Sequence, residues 1–184
     1  MKDLSLNLLD IAENSVKAGA TLTKLLLTQE GDLLTFRVED DGCGMTEEVL
    51  RGVVDPFYTT RTTRKVGLGL PLLRMAAEQT GGSMEVASRH CDTHPEDHGT
   101  VVTAVFHTDH IDCPPIGDMV ATVTTLIQGH PDTDFLFRHA DGETVVELDT
   151  RALREILGEV SLAEFEVLQW ISGFLQDQYN PQDA

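Results

Sequence analysis

The sequence predicts an α+β fold of two layers, with helices on one face of a mixed sheet. Helical and strand patterns alternate along the chain rather than separating into blocks. Short strands come in pairs joined by Gly-Asp or Asp-Gly turns, which is hairpin chemistry. A length of 184 residues suits one domain with an appended part.

The first helix is predicted over Leu4 to Gly19. At about 100° per residue, Leu4, Leu8, Ile11 and Ser15 share one narrow stripe, and Asp10, Asn14 and Lys17 share another side. Leu22–Thr28 and Leu33–Glu39 read as strands turning at Gly31-Asp32. The run Asp40-Asp41-Gly42-Cys43-Gly44-Met45 is a glycine-rich turn at a strand end, and Thr46 can cap a short helix with Glu47 and Glu48 in its first turn. Residues 55–69 read as a long loop. Pro71 sits in the first turn of a helix reaching Thr80, stopped by Gly81-Gly82. Ser83–Ser88 and Thr100–Phe106 read as strands across the polar link Arg89–Gly99. Beyond Pro114-Pro115, a plausible joint, the pattern predicts a helix over Met119–Ile127, a hairpin of Phe135–His139 and Thr144–Leu148, and helices over Arg151–Leu157 and Leu162–Gln178. Ser161 and Glu164 form a capping-box signature for the last. The chain thus divides into residues 1–110 and a small α+β appendage at 111–184.

Composition excludes several classes. The formal net charge of −18 repels nucleic acid and anionic lipid. Residues 1–110 carry 10 basic and 17 acidic side chains, and residues 111–184 carry 3 and 14. No apolar run is long enough for a membrane span, and the N-terminus lacks a signal-peptide pattern. Three cysteines, Cys43, Cys91 and Cys113, argue against a disulfide scaffold and fit a reducing cytoplasm.

Two glycine clusters carry the chemistry. A strand that delivers Asp40 into Gly42-x-Gly44 holds a carboxylate at a set depth, beside backbone that a flat ring can approach closely. Such a carboxylate can accept a hydrogen bond from an exocyclic amine; the bland alternative is an acidic β-turn. Gly67-Leu68-Gly69-Leu70 lies just before a helix, where free N–H groups bind anions. Upstream, Thr59, Thr60, Arg61, Thr62, Thr63, Arg64 and Lys65 have the composition of a lid over phosphates, or of an ordinary basic loop.

With these parts in this order, the chain resembles the GHKL family of ATPases and kinases, which share the Bergerat ATP-binding fold. The motifs are Asp10-Ile11-Ala12-Glu13-Asn14-Ser15-Val16-Lys17-Ala18-Gly19-Ala20, then Asp40 to Met45, then Asp55-Pro56-Phe57-Tyr58-Thr59-Thr60-Arg61, then Gly67 to Leu70. A Gly99-Thr100 before a strand also fits. The resemblance covers residues 4–106. It implies that Asn14 holds Mg²⁺ against the triphosphate of ATP. It further implies that Asp40 binds adenine with Thr100 supporting through water, and that Gly42 and Gly44 shape the base pocket. Gly67, Leu68, Gly69 and Leu70 would form the phosphate cradle, faced by Lys17 and Arg61. Mg²⁺ takes few protein ligands, so a single asparagine suffices chemically.

The resemblance is divided. The first motif is similar to MutL-type proteins, whereas residues 55–70 are similar to histidine kinases. ATP-hydrolysing members carry glutamate four positions before the asparagine; here the catalytic candidate is Asp10, one methylene shorter. The glycine motif lacks an extra glycine common in kinases. With only three residues ahead of Leu4, no dimerising hairpin with a phospho-acceptor histidine is expected. The resemblance then implies a stand-alone cytoplasmic ATP module, organised like anti-sigma-factor serine kinases. The expected function is phosphoryl transfer to a separate protein partner. The alternatives are an ATP-gated switch with slow hydrolysis and a non-catalytic nucleotide-binding module. No nucleic acid or membrane partner is expected, and a homodimer is left open.

Three features take the bland reading. The spacing of His90, Cys91, His94 and His98 matches no zinc pattern and reads as a solvated loop. Cys43 reads as a small buried filler. Phe165, Leu168, Trp170, Ile171 and Phe174 follow helical spacing and read as core.

Overall fold

The computed structural model describes residues 3–54 and 68–181. The predicted lid and the third motif lie outside the described residues, and so do Arg61 and Gly67.

Helix α1, Leu4–Lys17, ends two residues before the predicted Gly19. Asp3 caps it, its Oδ1 accepting from Leu6 N at 3.0 Å. The stripe of Leu4, Leu8, Ile11 and Ser15 is buried as its spacing predicts. Next come β1 (Leu22–Glu30), β2 (Leu33–Asp40), α2 (Glu47–Val54), α3 (Gly69–Gln79), β3 (Ser83–Arg89) and β4 (Gly99–His107). The remainder forms α4 (Met119–Gly129), β5 (Asp134–Asp141), β6 (Thr144–Asp149), α5 (Thr150–Leu157) and α6 (Phe165–Tyr179).

All six strands form one sheet in the order β3-β4-β2-β1-β5-β6. Every neighbouring pair is antiparallel except β1 and β5, so the sheet is mixed, as predicted. Strand burial alternates, with Thr100, Val102, Ala104 and Phe106 of β4 buried and the residues between them only partly so, so that one face turns to the helices. The other face carries ion pairs: Lys24 and Arg37 both meet Glu39, at 3.2 and 2.6 Å.

Residues 111–181 are built into the same body. β5 and β6 extend the sheet beside β1. At the Pro114-Pro115 joint, Leu4 N and Ser5 N donate to Pro115 O and Ile116 O, both at 2.9 Å. Phe36 and Phe106 from one part, and Phe135 and Phe137 from the other, are fully buried in one continuous core. Each such ring contributes about 1.5–3 kcal/mol, so separating the parts would cost far more than opening a flexible linker.

The start of the last helix differs from expectation. Glu164, with no side-chain capping bond, precedes α6. Ser161 Oγ instead accepts from Ala163 N at 3.1 Å. Leu162 is buried, and placing it in the core pulls residues 161–164 into a turn that a continuous helix would forbid.

His139 lies on the buried face of β5, its Nδ1 2.9 Å from the Tyr179 hydroxyl. Burial holds its pKa below the ordinary histidine value, with Asp141 opposing more weakly. The unfolded chain therefore binds a proton that the folded chain refuses. Stability is expected to be fully present above about pH 6.5 and to fall as pH drops below it. In His139→Gln, urea titrations should show a flatter profile between neutral pH and about pH 5. An unchanged slope would remove His139 as its source.

Candidate functional site

Strand register assembles the site. In the β2–β4 ladder Asp40 stands directly opposite Thr100, and in the β3–β4 ladder Ser88 stands opposite the same Thr100. Three strands thus deliver a carboxylate and two hydroxyls in a row. Below them, α1 presents Ser15 from its buried stripe.

Asp40 is held from both sides. Ser15 Oγ donates to its Oδ2 at 2.6 Å, and Gly42 N donates to its Oδ1 at 3.0 Å. A carboxylate offers about four acceptor positions, so Asp40 keeps capacity for an incoming amine. The neighbouring Asp41 does something else. Burial raises its carboxyl pKa, but bonds from the Leu22 amide and from the Thr21 hydroxyl and amide outweigh this and hold it below the usual range. It ties the start of β1 to the end of β2.

The hydroxyl row has a direction. Ser88 Oγ accepts from Met45 N at 2.8 Å and reaches Gly99 O at 3.1 Å. Its single hydrogen goes to that carbonyl, so at 2.8 Å Thr100 Oγ1 is the donor to Ser88. The Thr100 oxygen is left as an acceptor at the pocket wall. Gly44 permits this closure. Its φ is 75°, and a Cβ there would strike the Arg89 carbonyl. Gly99, at φ 143°, likewise lies against the Asp40 carbonyl.

Two cavities meet at Asp40 and Thr100. One, of about 420 Å³, is also lined by Asn14, Ser15, Lys17, Gly44, Met45 and Leu70. The other, of about 500 Å³, lies under Ser88, Arg89, His98 and Gly99. Among the described residues the Asn14 amide has no hydrogen-bond partner and Lys17 has no ion pair. A half-buried amide left free on this wall fits a ligand to a hard cation such as Mg²⁺. Glu13, by contrast, is committed elsewhere: its Oε1 meets His130 Nε2 of α4 at 2.8 Å.

Asp10 is exposed, one turn from Asn14, and does not line either cavity. It stands at the start of α3, where a Cβ on Gly69 would come within 3.2 Å of its own Cβ. Leu68 precedes α3 without a side-chain cap, so the first amides of that helix lack a capping side chain. The pocket therefore has the Asp40 carboxylate on the sheet side, an amide and an ammonium along α1, and Leu70 of α3 in its wall.

A family model described as histidine kinase-, DNA gyrase B-, and HSP90-like ATPase matches residues 2–110. This chain belongs to that family. Relatives include the sensor kinase CckA of Brucella abortus, 38% identical over 65 residues, which are 35% of this chain and 6% of the relative. Sporulation kinase A of Bacillus subtilis is 31% identical over 96 residues, 52% of this chain and 15% of that protein. Sensor histidine kinase CitA of Klebsiella pneumoniae is 31% identical over 83 residues, 44% and 15% respectively. The chain thus spans only a small part of each relative's length. The family assignment and these likenesses support an ATP-binding, kinase-type ATPase domain.

Within this ATPase-family domain, the structure brings together Asn14, Lys17, Asp40, Gly44, Leu70 and Thr100 around one cavity, with Gly42 bonded to Asp40. Gly69 stands beside Asp10, and neither it nor the exposed Leu68 lines the cavity. Sequence reasoning missed Ser15 and Ser88. Ser15 had a signal, being the one polar residue in the apolar stripe of α1; Ser88 had none.

The cysteines correct one expectation. Cys43 and Cys91, 48 positions apart, form a disulfide that joins the Gly42–Met45 turn to the β3–β4 link. Cys43 is therefore a crosslink rather than a filler, and Cys113 stays free. The histidine loop does not assemble as one cluster. His98 Nδ1 donates to Gly42 O at 2.6 Å and His94 Nδ1 lies 2.9 Å from Thr93 Oγ1. Cys43, His90 and Cys91 do share one spot, within 4.8 Å of one another. Asp92 N donates to His90 Nδ1 at 3.2 Å, which leaves the neutral ring's hydrogen on Nε2, 3.8 Å from Cys43 Sγ.

Asp40→Asn is expected to weaken ATP binding at least tenfold by calorimetry, because an amide presents an N–H where the base also donates. Ser15→Ala should weaken it less, about threefold to tenfold, by releasing the carboxylate from its orientation. Wild-type affinity in Asp40→Asn would remove Asp40 from the base site.

Proposed function

We propose that this domain binds Mg·ATP and passes the γ-phosphoryl group to a separate protein partner. The observation that supports it most is the juxtaposition, in one cavity, of a doubly anchored Asp40 and an Asn14 amide that bonds to none of the described residues. Asp40 accepts from the exocyclic amine of adenine, and the Thr100 oxygen accepts a bridging water. Asn14 is the residue that would hold Mg²⁺, which supplies charge neutralisation along the triphosphate. Lys17 adds a positive charge one turn further on. Phosphate then reaches the start of α3 beside Gly69, where backbone amides and the helix dipole favour an anion.

Transfer breaks the bond between the γ-phosphorus and the β,γ-bridging oxygen and forms one to a nucleophilic atom of the partner. ADP leaves, and the nucleophile's proton needs an acceptor. Asp10 stands at the start of α3, exposed enough for a partner's side chain to approach it. The relatives' names, sensor and sporulation kinases, favour transfer over hydrolysis.

A second reading is an ATP-gated switch with slow hydrolysis, in which Asp10 takes the proton from water. The retention of Glu13 by His130 favours Asp10 as the carboxylate in that case too. The two readings differ in one measurement.

With γ-labelled ATP, the intact chain alone should turn over slowly, and label should appear on a partner protein. In Asp10→Asn, turnover should fall by about 10²- to 10⁴-fold, the usual worth of a general base, while ATP affinity stays within about twofold. Unaltered turnover would remove the general-base role. Labelling of phosphate alone, at a rate no partner changes, would favour the switch. Asn14→Ala should abolish metal-dependent binding with the circular dichroism spectrum intact; an unfolded variant would make Asn14 structural.

A further inference from the structure

The C-terminal helices leave an apolar face uncovered. The helical stripe expected to be core splits in two. On α6, Val167, Leu168, Ile171 and Leu175 are buried, whereas Phe165 is 71%, Trp170 52% and Phe174 38% exposed. Trp170 stacks on Phe174 with ring centroids 4.9 Å apart. Facing them, α5 and the turn after it expose Ile156 at 82% and Val160 at 51%. Between the two helices lies a groove of about 370 Å³ lined by Leu153, Ile156, Leu157, Glu166, Val167 and Trp170. Apolar side chains grouped along two helices, with a cavity between them, are an interaction surface rather than scattered exposure.

The groove wall holds Glu166, and further glutamates lie on the same two helices and the turn between them. Glu155, Glu159, Glu164 and Glu166 are exposed, and among the described residues none forms an ion pair. The three cations of residues 111–184 are already engaged. Arg138 pairs with Glu147 at 3.3 Å, Arg151 with Asp149 at 2.7 Å and Arg154 with Asp134 at 2.7 Å. This part of the chain carries 14 acidic against 3 basic side chains.

We propose that the α5–α6 groove docks an amphipathic helix of another protein, whose apolar stripe is flanked by lysine and arginine. The geometry is that of a helix laid in a groove, with apolar anchors entering the cavity and polar flanks meeting the rim. The charge selects the occupant. A second copy of this chain would bring Glu166 and the same acidic surplus against this one, and like charges across an interface disfavour that pairing. An anionic membrane surface is repelled for the same reason. A cationic helix meets the unpaired Glu166 in the groove wall and a surrounding part of the chain rich in carboxylates. The inference holds whether the phosphoryl group is transferred or lost to water, since it concerns a surface apart from the nucleotide cavity.

Trp170 is the single tryptophan of the chain, so its fluorescence reports directly on the groove. The full chain would be titrated with three helical peptides of equal length. One is Leu/Lys amphipathic, one has the same leucines with Glu for Lys, and one has the lysines with Ser for Leu. The Leu/Lys peptide should blue-shift Trp170 saturably at one per chain, and bind at least about tenfold more tightly than either control. Ile156→Glu should weaken it by a similar factor, read by anisotropy of the labelled peptide. Glu159→Lys with Glu166→Lys should reverse the preference toward the Glu peptide, a result that general attraction to an acidic protein would not produce. Equal binding of the Leu/Lys and Ser/Lys peptides, or of the Leu/Lys and Leu/Glu peptides, would overturn the proposal. So would a dimer in sedimentation that Ile156→Glu dissociates, or an equal Trp170 shift with anionic phospholipid vesicles. Should Ile156→Glu unfold, the charge-reversal pair decides alone.

Discussion

The bond from Ser15 Oγ to Asp40 Oδ2, 2.6 Å long, joins the first helix to the central sheet at the point where the site is built. Around it, the other parts find their positions. Ser15 can reach Asp40 because Leu4, Leu8 and Ile11 seat α1 on the strands. Asp40 is at the right depth because β2 ends there, paired to Thr100 in the β4 ladder. A one-residue slip in that ladder would turn Asp40 to the opposite face of the sheet. The same slip would carry Val38, Phe36 and Leu34 out of the core, so packing enforces the register that the chemistry needs.

Electrostatics divides the molecule by task. Among the described residues the cavity holds one ammonium, that of Lys17, and one carboxylate, Asp40, which is already hydrogen-bonded. Elsewhere the acidic surplus is handled locally. Glu39 is held below its usual pKa range: burial raises it, and bonds to Arg37 and Lys24 more than compensate. Asp149 is held low chiefly by Arg151. Such exposed pairs are worth little singly, about 0–1 kcal/mol. Among the described residues Glu166, in the wall of the α5–α6 groove, has no such partner.

Residues 111–181 matter to the site although none of them lines either cavity. β5 covers the edge of β1 that would otherwise be open, and an open edge invites pairing with another chain. α4 packs on α1, and His130 at its end takes Glu13. The domain of 2–110 that defines the family is therefore braced along its first helix and one sheet edge by the rest of the chain. The far ends of α5 and α6 reach past that brace with apolar residues still exposed.

Periodicity alone determined the helices and strands, because apolar spacing reports which side of each element meets the core. The resemblance in motif order, not periodicity, named Asp40, Asn14 and Thr100, and the fold brings the three to one cavity. What neither could determine were relations between distant positions. The disulfide from Cys43 to Cys91, the Ser88 link, and the parallel pairing of β5 with β1 join segments that no local pattern connects. Helical spacing placed Trp170 and Ile171 in one stripe. Only the packing of α6 against β6 and α4 decided that Ile171 is buried and Trp170 is not, because a stripe states which residues share a side and a neighbour decides how wide a side is covered.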